Sequence, residues 1–425
     1  MLSCSLSANR AHPTRSRASL LLVAGLALLL ATVLGALGRA SAQMGPAAVS
    51  VGVITSRTGS AAAQGAAQWL LAADRQTALR TAGGIFGVSV SFQMRDDASD
   101  PAVAGRHAEE LIDQGVLVLV CCTTPLATRA VAATAEAAGV PLLAPTSFEP
   151  PSERPYWAFS LAPDDTDALA AIVADAYREN RHSLALMALS GPIGAAAEGD
   201  LRALLAVVGA SITHHVAYQP GVQELRPEAL QVAASQPGGV VVWGLMNDLL
   251  VAHDALRRRG YEGNVYARTA LFGPGNPTPP WARLINVRVA VPPAVAPPAS
   301  PPRVDDVRQP WHGVGGSHGA CAAAAHLDAE RLAAVPGAGG QAMATAPFLA
   351  ALDQIDLALE QLIALQIPSS DPAVLRQALR DTLIGRPARC SGAGLIDLRD
   401  GDANAVDPGG LAVAVITNRG LAALP

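Results

Sequence analysis

Between Val49 and Asp164 the chain alternates short apolar runs with longer helical ones, and that alternation leaves few folds open. Val49–Thr55 is an apolar run of strand length. It breaks at Thr58-Gly59-Ser60 and passes into a helical stretch, Ala61–Thr81, stopped by Ala82-Gly83-Gly84. Val88–Asp96 reads as a second strand and runs into Asp97, then Ser99-Asp100-Pro101. A helix through Glu109-Glu110-Leu111 follows, then a strand Val116–Val120, a Thr123-Thr124-Pro125 turn and a helix Leu126–Ala138. Gly139–Pro145 is the next short strand. Strands separated by helices predict right-handed βαβ units and an α/β fold with a parallel sheet. Such sheets take ligands at the carboxyl ends of their strands.

A second series repeats the pattern. Asp164-Asp165-Thr166 predicts the cap of a helix through Tyr177. Ser183–Leu189, Ser211–Tyr218 and Gly238–Trp243 read as strands; Ala195–Val208, Pro227–Ser235 and Asn247–Arg259 read as helices. At 425 residues the chain exceeds one core of ordinary size, so two Rossmann-like lobes are expected, with the first link near Leu161–Asp164. The proline-rich run Pro292–Pro302 predicts an extended crossover or surface loop. Ala344–Gln366 is a strong helix with Asp353, Asp356 and Glu360 on its outer side. Asp371-Pro372 starts another by cap and first-turn proline.

Arg10, Arg15 and Arg17 precede the apolar run Leu20–Leu37, and Ala40-Ser41-Ala42 offers a small-residue cleavage site before Gln43. That pattern predicts a signal peptide over residues 1–42; the alternative is an uncleaved membrane anchor, because the run is near the lower limit for spanning. No later apolar run is read as long enough to span, so the mature protein is expected to be soluble, periplasmic and monomeric. All 30 basic residues are Arg. A chain without Lys has no Schiff-base amine and no Walker-type phosphate loop. Four Arg and no acid fall in residues 1–42, so the mature part holds 26 Arg against 35 acids, a formal charge of −9. That opposes nucleic acid or an anionic membrane surface as a partner. Cys121 and Cys122 end a strand and read as small buried hydrophobes, since adjacent cysteines rarely bond to each other. Cys321 and Cys390 are the one pair for which a disulfide is open, paired or not.

The order of the pieces resembles the type I periplasmic ligand-binding proteins, in the branched-chain amino-acid branch of ABC-transporter receptors. The marks are Val51-Gly52-Val53-Ile54-Thr55 with Thr58-Gly59, Ala82-Gly83-Gly84-Ile85 with Gly87, and Asp96-Asp97 with Ser99-Asp100-Pro101. Ala137-Ala138-Gly139-Val140-Pro141 follows, then Phe159 with Ala162-Pro163-Asp165. The resemblance weakens towards Tyr266, lapses near Pro292–Gly340 and resumes in the tail, where Gly392–Leu398 and Leu411–Thr417 resemble the family's closing strand pair. It implies a non-enzymatic receptor of an ABC importer, with permease subunits as partners and no cofactor. It also implies one lobe from residues 48–162 plus 303–385 and another from 163–296 plus 386–425. A binding-fold sensor or accessory protein without a transport role is the alternative.

By the same resemblance, the ligand is held by Ser60, Gln64, Thr123, Thr124, Thr146, Ser147, Phe148, Ile193, Leu245 and Thr269. Thr123 and Thr124 stand where the family presents hydroxyls to a ligand carboxylate at a helix N-terminus. The other reading of Thr124 is that it caps the helix. The chain departs from the family at several of these positions. Pro125 replaces an expected Ser, Phe148 replaces a Thr, and Ile193 and Leu245 replace aromatic residues. No acid lies near Thr269 in sequence. A buried zwitterion needs paired counter-charges, so the ligand is expected to be an apolar acid, an amide or an aromatic compound rather than a free amino acid. Arg57 and Arg268 fall near strand ends and are candidates to face an anion.

Two other constellations carry less. Gly315-Gly316-Ser317-His318-Gly319 matches G-x-S-x-G, but no strand precedes it and only His326 follows, so a secreted hydrolase is the third reading. His312, His318, Cys321 and His326 fit no standard zinc spacing. The exported protein is expected to begin at or near Gln43 and to stay in solution without detergent. N-terminal sequencing checks this; an intact Leu20–Leu37 segment in the membrane fraction would refute it.

Overall fold

The computed structural model describes residues 48–148, 156–272, 281–296, 321–367, 369–399, 403–407, 410–418 and 420–424. The leader, the G-x-S-x-G segment with His312, Ser317 and His318, and residues 297–302 of the proline-rich run lie outside them.

Five strands form the first sheet: β1 (Ala48–Thr55), β2 (Ser89–Asp96), β3 (Val118–Cys121), β4 (Leu142–Ala144) and β5 (Ala158–Ser160). They are all parallel, in the order β2-β1-β3-β4-β5. Helices α1 (Ala62–Thr81), α2 (Pro101–Asp113) and α3 (Pro125–Ala138) make the crossovers. Two of the caps follow from sequence: Asp100 accepts from the N–H groups of Ala102 and Val103, and Gly139 ends α3 in the left-handed conformation that lacks a Cβ penalty.

The chain leaves β5 at Ser160 and enters α4 (Asp165–Arg178), then builds a second sheet. Its parallel strands are β6 (Ser183–Leu189), β7 (Ser211–Tyr218), β8 (Gly239–Trp243), β9 (Asn264–Ala267) and β10 (Val287–Val291). Helices α5 (Pro192–Val207), α6 (Arg226–Ala234) and α7 (Met246–Arg258) connect them. β8 is buried along its whole length, as a strand covered on both faces must be. After α8 (Ala322–Ala334), α9 (Ala342–Ala364) and α10 (Pro372–Ile384) come the short strands β11 (Arg389–Ser391), β12 (Gly394–Ile396) and β13 (Val406–Asp407). Last come β14 (Ala412–Thr417) and β15 (Gly420–Ala423). The second sheet is ordered β15-β14-β10-β9-β8-β6-β7, with β14 and β15 antiparallel.

Three expectations are corrected. The tail segments do not pair with each other: β12 pairs with β11 and β13 in a small sheet, while β14 pairs with β10 and β15. Helix 339–364 is long and apolar enough to cross a membrane, at mean hydropathy 1.2, yet 72% of its most apolar window is buried inside the protein, as a core helix would be. Asp353 and Asp356 are only partly exposed: Arg75 of α1 pairs with both, and Arg331 of α8 binds Asp353 at 2.7 Å, which ties three helices together. Cys121 and Cys122 are buried side by side in one apolar cluster, as the sequence predicts. The open pairing of Cys321 with Cys390 is settled: the two form a disulfide joining the start of α8 to β11.

Two glycines fix how closely helices approach the strand ends. A Cβ on Gly65 would strike the backbone carbonyl of Ser56, and one on Gly194 would strike that of Leu189. Each glycine sits in the first turn or two of the helix that follows a leading strand, α1 after β1 and α5 after β6. Overpacking against backbone has no flexible neighbour to absorb it. Gly65→Ala is therefore expected to destabilise the protein by about 1–3 kcal/mol in urea unfolding, whereas Ala at Gly105, which meets nothing within 4 Å, should not.

Candidate functional site

In a parallel sheet every strand points its carboxyl end to one edge, and the loops there are the available site. The first sheet puts residues 56–60, 97–100, 122–124 and 145–148 on that edge; the second puts 190–192, 244–246 and 268–269 on its own. The two edges border one segment. Leu161–Pro163 leaves the carboxyl end of β5 and is followed by the cap of α4, where Asp165 holds Arg268, directly after β9, by a bidentate ion pair at 2.7–2.9 Å.

On the first edge the loops brace one another. The Thr58 hydroxyl donates to Asp96 at 2.8 Å, and the N–H groups of Thr58 and Ala98 donate to the same carboxylate. Burial pushes Asp96 up, but those hydrogen bonds outweigh it and hold the carboxyl below its ordinary value. The Ser99 hydroxyl donates to Thr58 O and accepts from Ala61 N at 3.0 Å, so Ser60 is carried on a fixed turn and stands exposed. Asp97 is fully buried, and desolvation raises its pKa.

The ten sequence-derived positions fall into two groups. Thr123, Thr146 and Thr269 are buried, with hydroxyls committed inside the protein. Thr123 accepts from Ser56 N at 2.9 Å and donates to Gln68 at 2.6 Å, and Gln68 in turn donates to Ala344 O on α9. Thr146 shares a hydrogen bond with Thr128 at 2.5 Å, and Thr269 donates to Ala290 O at 2.8 Å. The remaining seven are accessible in part. Gln64 and Ser147 are half-buried, and Phe148 packs against the cluster that holds Cys121 and Cys122. Thr124 caps α3, its hydroxyl accepting from Ala127 N at 3.4 Å, so the capping role holds.

Ile193 and Leu245 keep 41% and 46% of their surface exposed at the starts of α5 and α7. Leu126, which sequence reasoning passed over, is 63% exposed in the first turn of α3, at the carboxyl edge of the first sheet. The signal for it was its place one residue past the cap and first-turn proline. Single exposed aliphatics are ordinary, but here three stand at helix starts at the carboxyl edges of the two sheets.

Both candidate cations are engaged. Arg57 stacks over the Trp69 ring at 4.9 Å, and Arg268 is neutralised by Asp165. Asp165 also corrects the expectation that no acid lies near Thr269. It comes from about a hundred residues away in sequence and arrives already paired. Of the proposed metal set, His312 and His318 lie outside the described residues. Cys321 is in a disulfide and His326 pairs with Glu330, and no cluster of His, Cys, Asp and Glu suited to a metal occurs among the described residues.

Thr123→Val should cost about 1–3 kcal/mol of stability, because it leaves the buried Gln68 and Ser56 groups without their partner. Thr124→Ala should cost about 1 kcal/mol, the worth of a cap. Urea denaturation of both variants checks the ranking.

The sequence model of the periplasmic binding protein family matches residues 48–360. No curated protein gives a significant match. Among solved structures, an extracellular ligand-binding receptor from Rhodopseudomonas palustris HaA2 is 18% identical, with 89% of this chain and 99% of that one covered at a TM-score of 0.59. The branched-chain amino acid transporter substrate-binding protein LivJ of Streptococcus pneumoniae, in complex with isoleucine, is 16% identical over 88% and 97%, at 0.57. The leucine-binding protein LivK of Thermotoga maritima is 16% identical over 89% and 98%, at 0.54. Those identities speak for the fold alone. The family match extends over most of the chain and takes in both sheets up to β10, and on that ground the protein belongs to the periplasmic binding protein family.

Proposed function

We propose that this protein is the periplasmic receptor of an ABC importer, exported by cleavage after residue 42, and that it binds a small molecule between two lobes. The lobes are residues 48–162 with 303–385, and 163–296 with 386–425. Closing about the crossovers would bury the ligand and form the surface that the permease subunits read. What supports this reading is the match to the periplasmic binding protein family over residues 48–360, with Leu161–Asp164 leading from the end of β5 to the helix whose Asp165 holds Arg268.

The ligand class follows from what the edges offer. Leu126, Ile193 and Leu245 present aliphatic surface from both sheets. The acid beside Thr269 is Asp165, whose charge Arg268 already balances. A buried ammonium would find no unclaimed partner there and would lose protonation or stay outside. An anionic group has the start of α3 at Thr124 to receive it, where the helix dipole and first-turn N–H groups favour negative charge. We therefore assign an apolar monocarboxylate, amide or aromatic compound in preference to a free branched-chain amino acid.

Calorimetry with leucine and with its deaminated analogue, 4-methylpentanoate, side by side is the test. Leucine should bind more weakly than about 100 μM, about −5.5 kcal/mol, and the analogue more tightly. Thr124→Ala combined with Ser147→Ala should weaken the analogue about 10- to 150-fold, the worth of a hydrogen bond to a charged group. Tight leucine binding with no response to the analogue would restore an ordinary amino-acid receptor.

A further inference from the structure

Helix α5 covers the second sheet with one side and leaves the other side open. Gly194, Ala197, Leu201 and Leu205 are buried, and the helix rests on β6, β7 and α4. On the opposite side, Pro192, Ala196, Gly199 and Ala203 form an exposed crest without charge. A Cβ added at Gly199 would meet nothing within 4 Å. At the far end of the crest Val207 is 75% exposed, more than any other large apolar side chain among the described residues. One flank carries charge. Arg202, 63% exposed, pairs with Glu198 at 2.7 Å, and the second Glu198 oxygen lies 3.2 Å from His215 Nδ1 on β7. The other flank holds Asp200, which accepts from the Thr166 hydroxyl of α4 at 2.9 Å.

The face is its own complement. Along the helix, Glu198 and Arg202 stand at equal distances on either side of residue 200, on the same flank. Val207 stands on one side of that point as far out as the first turn, Pro192 to Ala196, stands on the other. A two-fold contact between identical surfaces requires this arrangement, because residue i of each copy must meet residue j of the other. With two helices antiparallel about residue 200, Arg202 of each copy comes beside Glu198 of the other. Val207 of each comes onto the other's first turn. The small side chains of the crest let the two helices approach closely enough for both contacts.

We propose that the outer face of α5 is a self-association surface, on which two copies of this protein pair antiparallel about a two-fold axis. The occupant is a second copy because charge and apolar surface both match under that one operation, whereas an unrelated partner would need neither match. The helix has 16 residues and is about 24 Å long. A single helix face of that length buries less than the roughly 1,200 Å² in total that stable complexes start from, so the dimer is weak and depends on concentration. It departs from the monomer expected from sequence, and it does not rest on the receptor reading, since α5 belongs to the second sheet alone.

Sedimentation velocity on the full mature protein tests the surface. Between about 5 μM and about 500 μM the wild type should pass from monomer towards dimer, as a small interface requires. Gly199→Leu should keep the fold, because its side chain enters open space and Leu is the better helix former, and should weaken the dimer about tenfold or more. Glu198→Arg and Arg202→Glu each set like charges against one another across the axis, so each alone should stay monomeric over the same range. Mixed in equal amounts, the two should dimerise again, because each supplies the charge that the other lacks. That rescue cannot come from damage to either fold. A wild type that stays monomeric throughout overturns the proposal. So does a mixture without rescue, and so does a dimer that Gly199→Leu leaves unchanged, which would place the contact on another face.

Discussion

Everything in this molecule hangs on a short backbone bridge. Ser160 ends the last strand of the first sheet, and its N–H and carbonyl are bound by Ala403 and Ala405 on the way back. A buried amide left unbonded costs a few kcal/mol, so the bridge fixes where the chain can cross and return. From that point the handedness of βαβ units does the rest. It sends each strand's carboxyl end to the same side of its own sheet, and Asp165 holding Arg268 fixes the start of α4, which follows the crossover, against the end of β9.

The fold was legible in the sequence because its signals are local. Asp100-Pro101, Thr124-Pro125 and Asp371-Pro372 announce helix starts, and each is a cap followed by a first-turn proline in the structure. Strands β1, β6, β7 and β8 emerged where apolar runs marked them. β5 and β9 were not read as strands, although β3 and β4, just as short, were picked out by the turns and helices that flank them. β10 alternates visibly, yet only its pairing with β9 on one side and β14 on the other identifies it as internal.

The candidate site was legible in position more than in role. Thr123, Thr146 and Thr269 lie at strand ends, as their order required, yet their hydroxyls are spent on Gln68, Thr128 and Ala290. Those partners lie between about 20 and 55 residues away, and no local pattern encodes such pairing. Asp165 shows the same limit from the other side: an acid absent from the neighbourhood of Thr269 in sequence arrives through the crossover. Leu126 was missed for a different reason. An aliphatic residue in a helical run reads as core, and only the turn of the helix decides that this one faces out.

The Cys321–Cys390 disulfide has a consequence for cooperativity. The covalent ring it closes spans a separation of 69 residues and contains α8, α9 and α10. In the chain-entropy view a ring of that size is worth about 4 kcal/mol against the open chain. α9 lies against α1 and carries the Asp353 that Arg75 holds, so the ring is anchored to the first sheet. Cys390 sits at the start of the segment leading to β14, which belongs to the second. Melting the helical cover of one sheet therefore strains the return path to the other. Reduction therefore opens a ring that holds the three helices α8–α10 and loosens the tie between α8 and β11.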